Sequence, residues 1–154
     1  MQYNSAMPLL IRQAMPADAP AVARLNQDFN DVQTDGAVMA ARLERCLATE
    51  RIFLAEIDGL AVGFLALWLF PVICFPEPYA EVSELFVEEA YRRRGIGRAL
   101  LEAAIETAQR EGAAELKLNT GFRNTAAQQL YYALGFHNLA LHLAIPLATA
   151  EPPL

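Results

Sequence analysis

The spacing of apolar residues changes period several times along the chain, and each change marks a new element. Leu9, Leu10 and Ile11 open a short strand, and Ala17-Asp18-Ala19-Pro20 follows with an acid and a proline where helix starts favour them. A second helix is predicted from Gly36 to Leu47. Two apolar runs, 51–57 and 61–68, flank Asp58-Gly59, which is a strong hairpin signal. Pro71, Pro76 and Pro78 break residues 70–79 into a loop before a fourth strand that ends in Val82-Ser83-Glu84-Leu85-Phe86-Val87. From Ile96, the residues Leu100, Leu101, Ala104, Ile105 and Ala108 recur at helical spacing up to Gly112. A short fifth strand is expected over 115–119. A helix is expected from Asn124 to Leu134 with Ala127, Leu130, Tyr131 and Leu134 on one side, and Gly135 stands where a left-handed cap belongs. Phe136-His137 and the run 139–147 predict paired final strands before a Pro-rich tail, 148–154. The order βααβββαβαβ describes an α/β sandwich of mixed sheet and helices.

Composition narrows the class. The 154 residues are 55% hydrophobic with a mean hydropathy of +0.20, so one packed domain is expected, with a core over about 8–147 and short flexible ends. The apolar run 65–74 is too short for a membrane helix and is cut by Pro71, and the opening Met1-Gln2-Tyr3-Asn4-Ser5 lacks the pattern of a signal peptide. The expectation is a soluble cytoplasmic protein with no membrane partner. Cys46 and Cys74 lie in different elements with no His or Cys at ligand spacing, which fits reduced core or near-core thiols and no metal. Net charge is −6, yet four of the twelve Lys and Arg residues fall between 92 and 98. Nucleic acid needs a broad basic face, so it is not an expected partner. A local basic cluster on an acidic surface fits an anionic cofactor met by a cationic co-substrate.

That cluster is the most informative stretch. A strand leads through Arg92-Arg93-Arg94-Gly95-Ile96-Gly97-Arg98 into the helix that includes Ala99. Glycines let the backbone pass close to a ligand, and a helix start turns N–H groups and a positive dipole end toward it. The arrangement suits a pyrophosphate. It lacks the third glycine of a dinucleotide fingerprint and the Gly-Lys-Ser or Gly-Lys-Thr of a Walker loop.

On these residues the chain resembles the GCN5-related N-acetyltransferases (GNAT). The family signature, Arg or Gln, two residues, Gly, one residue, then Gly or Ala, matches Arg92 to Gly97. A second hallmark, Asn with Ala three on, Tyr seven on and Gly-Phe eleven on, matches Asn124, Ala127, Tyr131 and Gly135-Phe136. The resemblance covers roughly residues 8–147. It implies a mixed, mostly antiparallel sheet of six to seven strands, flanked by about four helices and splayed between strands four and five. Acetyl-CoA would be the co-substrate, its pantetheine arm bonded to the backbone of Leu85, Phe86 and Val87. Its pyrophosphate would lie on Arg92, Arg93, Arg94, Gly95, Ile96, Gly97, Arg98 and Ala99, with Asn124 as a further hydrogen-bonding residue.

The implied reaction is acetyl transfer to a primary amine of a small molecule by direct attack in a ternary complex. A peptide or protein N-terminus or lysine is an alternative acceptor, and a noncatalytic acyl-CoA sensor is an alternative class. Following the family position, Tyr131 would bind cofactor and protonate the leaving thiolate, since a phenol near pKa 10 is protonated at neutral pH. The fourth strand offers Glu81 and Glu84 as base, on opposite faces by simple alternation. The family position favours Glu81, acting through water. Val87 N–H is a candidate oxyanion donor. Asn26, Asp28, Asp31, Trp68, Phe75, Glu77 and Tyr79 are available to line the acceptor side, and His142 is a further candidate there. The apolar run 139–147 would also suit an edge pairing across a homodimer.

Overall fold

The computed structural model describes residues 8–145 and 147, and the chain divides into two compact units, one running through Leu118 and one beginning at Asn119. In the first, β1 (Leu9–Gln13) leads through a single 3-10 turn into α1 (Ala19–Asn30) and α2 (Gly36–Leu47). Then come β2 (Glu50–Ile57), β3 (Leu60–Phe70), β4 (Tyr79–Val87), α3 (Ile96–Arg110) and β5 (Glu115–Leu118). The sheet runs β1-β2-β3-β4-β5 in sequence order. Its first three pairings are antiparallel and β4–β5 is parallel.

Local chemistry accounts for the joints. Asp58 (φ 51°) and Gly59 (φ 77°) both take the left-handed conformation that a tight primed turn needs, so the β2–β3 hairpin closes in two residues. Asp35 caps α2 by accepting from Ala37 N and Val38 N, at 2.9 and 3.3 Å. Val22 and Leu25 of α1 and Met39 and Leu43 of α2 pack on one sheet face with Ile52, Leu54, Phe64, Ala66 and Phe86. The alternate residues Phe53, Ala55, Leu65, Leu67, Ala80 and Val82 are buried on the other face. There α3, which contacts β1 through β5, buries Ile96, Leu100, Leu101, Ala104 and Ala108.

β4 carries the feature that positions the site. Its register against β3 passes from Leu67↔Val82 to Ala66↔Glu84, so Ser83 is an extra residue, a β-bulge. Its ladder with β5 ends at Val82↔Leu118. Beyond the bulge, β4 has β3 on one side and no β5 partner on the other, which is the expected splay. Gly63 holds β3 and β4 together there: a Cβ at this position would lie 2.8 Å from Phe86 O.

The second unit holds α4 (Thr125–Ala133) and the residues after it. Here the expectation of six to seven strands is not met among the described residues: they form a sheet of five, and none of those after α4 is in a strand. Leu139, Leu141, Leu143 and Ile145 keep a strand-like alternation, but they are 62–80% exposed. Alternation alone does not make a strand, because its N–H and C=O groups need a paired neighbour. Residue 146 and the Pro-rich tail 148–154 lie outside the described residues, as do residues 1–7. Cys46 is half-buried against the α1/α2 core, whereas Cys74 is exposed in the loop between β3 and β4, not near-core as expected.

Both the strand contact and an ion pair at the start of the chain can be tested by unfolding. Gly63→Ala forces β4 away from β3 and should cost about 1–3 kcal/mol in urea unfolding; an unchanged midpoint would show that the strands yield freely. Arg12 bonds Asp18 at 2.7 and 2.9 Å and Glu56 at 2.6 Å, and this guanidinium holds the Asp18 carboxyl below its ordinary range. A depressed carboxyl stabilises above its unfolded pKa, about 3.9, and that contribution is lost as pH falls through the folded value. Asp18→Asn should therefore cost about 1–2 kcal/mol at pH 7, with the two unfolding curves converging in acid. A pH-independent difference would contradict the pairing.

Candidate active site

Backbone direction beyond the bulge decides which groups face the gap beside β4. Glu88 N–H donates to Val62 O at 2.9 Å, toward β3. Counting back in twos, Phe86 and Glu84 also direct their backbone groups to β3, while Leu85 and Val87 direct theirs to the β5 side. Of the three residues expected to bind pantetheine through backbone, Leu85 and Val87 face the gap. Phe86 instead contributes its ring to the α1/α2 core, 5.0 Å from that of Phe29. Arg92 Nε donates to Val87 O at 2.8 Å and its guanidinium lies 5.7 Å from the Phe86 ring centroid, so Arg92 braces the strand end.

The connection from β4 into α3 has the form of an anion cradle. Arg92 is extended, Arg93 is left-handed (φ 62°), and Gly95 is left-handed again (φ 80°) as the residue before the helix. Such alternation turns successive N–H groups inward. The first helical bond of α3 is Ala99 N–H to Gly95 O at 3.0 Å, so the N–H groups of Ile96, Gly97 and Arg98 precede the ladder. A Cβ on Gly95 would meet nothing within 4 Å, so glycine is needed there for its φ, and the space above the turn is open. The arginine heads are spread: Arg94 lies over Tyr91 at 5.4 Å and Arg98 Nε pairs with Glu102 at 2.8 Å. A separate cleft of about 320 Å³ at the end of β4 is lined by Asp28, Phe86, Glu88, Glu89 and Ala90. Its three carboxylates make it a poor host for pyrophosphate. Arg24 ties Glu88 and Ala61 O to α1 beside it.

The bulge also corrects the expected placement of the two glutamates. Glu81 is opposite Trp68 and Glu84 is opposite Ala66, and Trp68 and Ala66 share a face of β3. The extra residue at Ser83 therefore puts Glu81 and Glu84 on the same face, the one carrying α1 and α2. Glu50, also opposite Trp68, joins them from β2. Burial, and then the like charge of Glu84, push the Glu50 carboxyl up. Burial, and then the charge of Glu50, push the neighbouring Cys46 thiol up. Glu50 was missed in the sequence because it matches no motif and meets the others only through strand register.

The second hallmark motif is a helix with both ends fastened. Asn124 Oδ1 accepts from Ala127 N–H at 3.3 Å and caps α4. At the other end Phe136 N–H donates to Tyr131 O and Gly135 N–H to Tyr132 O, both at 3.0 Å, with Gly135 left-handed (φ 96°). This is a Schellman cap, and its usual apolar contact is the edge-on pair of Tyr131 and Phe136 at 6.1 Å. The seven-residue spacing puts Asn124 and Tyr131 two turns apart on one side of α4. Burial pushes the half-buried Tyr131 phenol up. His142 is exposed. Among the described residues no group of His, Cys, Asp and Glu could hold a metal ion, and no helix is long and apolar enough to cross a membrane.

The sequence profile of the acetyltransferase (GNAT) family matches residues 20–136. The chain belongs to the GNAT family. It is 34% identical over 134 residues to the uncharacterized N-acetyltransferase YhfO of Bacillus subtilis (strain 168), covering 82% of this chain and 88% of that one. It is 38% identical over 87 residues to the uncharacterized N-acetyltransferase MJ1207 of Methanocaldococcus jannaschii, a match spanning 54% of this chain but only 38% of that longer relative. Among solved structures, a protein of Agrobacterium tumefaciens str. C58 provisionally named an acetyltransferase superposes with TM-score 0.83 at 29% identity, covering 90% of this chain and 99% of that one. AAC(6')-Iy, solved with the bisubstrate analogue CoA-S-monomethyl-acetylneamine, gives TM-score 0.78 at 24% identity over 92% of this chain and 99% of that one. That likeness is one of fold.

The cap on α4 is directly testable. Asn124→Ala should lower stability by about 1 kcal/mol and Asn124→Asp should restore it, read by thermal unfolding followed by circular dichroism. Equal stability of Asn124→Ala and the parent would remove the capping role.

Proposed function

We propose that this GNAT chain transfers an acetyl group from acetyl-CoA to a primary amine of a small molecule, by direct attack within a ternary complex. The observation that carries this reading is the half of β4 beyond Ser83, open on its β5 side and leading straight into the left-handed turn before α3. The backbone of Leu85 and Val87 would bond the pantetheine amides as a neighbouring strand would. The turn from Arg92 to Gly95 and the first N–H groups of α3, from Ile96 through Ala99, would hold the pyrophosphate. Arg93, Arg94 and Arg98 would add charge and Asn124 a further polar contact. The small-molecule acceptor draws support from AAC(6')-Iy, bound to an analogue built on an aminoglycoside fragment.

Acetyl-CoA supplies the activated acyl carbon and the thiolate leaving group. In the transfer an N–C bond forms, a C–S bond breaks, one proton leaves the nitrogen and one reaches the sulfur. The chain must therefore accept a proton on the amine side and give one on the thiol side. Tyr131 is assigned the thiol side, because a phenol with an ordinary pKa near 10 holds its proton at neutral pH and can pass it to a thiolate of similar basicity. Glu81, directly or through water, is assigned the amine side. Glu84 on the same face would stabilise the ammonium before it is deprotonated. Val87 N–H, directed into the gap, would donate to the developing oxyanion.

Tyr131→Phe should lower kcat about 100-fold or more while the KM for acetyl-CoA changes little. Glu81→Gln should lower kcat/KM about 100-fold, and Glu84→Gln should lower it far less. An unchanged rate in Tyr131→Phe, or an unchanged kcat/KM in Glu81→Gln, would remove the corresponding assignment.

A further inference from the structure

Arg92 stands where the two halves of the candidate cofactor site meet. Its backbone is extended and opens the turn that runs through left-handed Arg93 and Gly95 into α3. Its side chain folds the other way, back along β4, where Nε donates to Val87 O at 2.8 Å and the guanidinium lies 5.7 Å from the centroid of the Phe86 ring. Arg94, over Tyr91, and Arg98, paired with Glu102, turn their heads elsewhere. The short turn Glu89–Tyr91 sets up the reversal: Tyr91 N–H donates to Glu88 O at 2.9 Å and Arg92 N–H to Glu89 O at 3.2 Å. The strand end is held on its β3 side, since Glu88 bonds Val62 O through its N–H and Arg24 through its carboxylate.

Val87 O belongs to the open edge of β4, beyond the last β5 rung at Val82↔Leu118. A chain added along that edge would lie about 4.8 Å away. A guanidinium bonded at 2.8 Å to Val87 O already fills that space. The contact satisfies the carbonyl, and a charge over an exposed edge discourages pairing with a foreign strand. The hold is light, because the acceptor is a neutral carbonyl and Arg92 is exposed. A phosphate group is the stronger partner for a guanidinium, being charged and able to take two parallel N–H bonds. An anion in the turn before α3 therefore competes for Arg92, and its success leaves Val87 O free for an amide N–H.

We propose that Arg92 is a displaceable latch on the cofactor edge of β4. Its guanidinium covers Val87 O until the pyrophosphate of acetyl-CoA draws it toward the turn, and the pantetheine arm then seats beside Leu85 and Val87. This rests on the acetyltransferase reading and adds an order of events at that site: the nucleotide half docks first, and the arm carrying the acetyl group follows. Both halves favour the released latch, so each strengthens binding of the other by the same factor.

Dividing acetyl-CoA into its two halves separates these effects. S-acetylpantetheine and 3′-phospho-ADP are titrated calorimetrically into the intact protein, each alone and each with the other at saturation. In the parent, saturating 3′-phospho-ADP should tighten S-acetylpantetheine binding about fivefold or more. Arg92→Ala should bind S-acetylpantetheine alone several-fold tighter than the parent does, and its coupling should fall below about twofold. Arg92→Lys, which keeps a cation of similar reach, should retain most of the coupling. Circular dichroism and thermal unfolding check that both variants fold, and the coupling in the parent needs neither of them. Independent binding of the two halves in the parent, or weaker binding of S-acetylpantetheine by folded Arg92→Ala, would overturn the latch and leave the acetyltransferase reading standing. Absence of binding by either half and by intact acetyl-CoA would overturn that reading, and the latch with it.

Discussion

The fold depends at its functional end on one constraint: β4 has a β5 partner only as far as Val82 and takes an extra residue immediately afterwards. A parallel ladder that ended in mid-sheet without compensation would leave backbone groups unsatisfied. The two changes work together. Loss of the β5 partner opens one edge of the backbone, and the bulge shifts the side-chain parity so that Phe86 still reaches the α1/α2 core. β4 can then be core on one face and binding edge along its length. Gly63 is the counterpart on β3, since only a residue without Cβ lets the strands stay this close beside Phe86 O.

The same extra residue brings the carboxylates together. Without it, Glu81 and Glu84 would project from opposite faces, and Glu84 would meet α3. With it, both lie on the same face as Glu50, whose carboxyl is pushed up by burial and then by the charge of Glu84. The arginines gather at the start of α3, while these carboxylates lie on the α1/α2 face of the sheet.

Much of this was legible in the sequence because it is local. Asp58-Gly59 sets its own turn, Asp35 and Asn124 cap the helices they precede, and Gly95 and Gly135 stand at the left-handed positions their neighbours require. The hallmark spacing from Asn124 to Phe136 is itself physical, being the distance from an N-cap to a Schellman cap across a helix of nine residues. What was not legible depends on non-local pairing. The Ser83 bulge has no signature in its own residues, since it is defined by what lies opposite on β3. The parity of Glu81 and Glu84 and the arrival of Glu50 both follow from that register. The final strands failed for the converse reason: residues 139–145 alternate as a strand does, but alternation describes a face and does not supply a partner.

The α4 motif shows how far a spacing rule extends toward chemistry. Gly135 reverses the chain so that Phe136 folds back on Tyr131, and the main-chain bond from Phe136 to Tyr131 fixes the same two residues whose rings meet. Burial of one ring against the other contributes to a phenol that holds its proton more tightly. The glycine and phenylalanine therefore need touch no substrate to matter, because the helix stop they form fixes the backbone of Tyr131 and packs a ring against its own. Tyr131 is thus held by a structural device that would remain in place whether or not the side chain were catalytic, and the motif spacing is the spacing of that device.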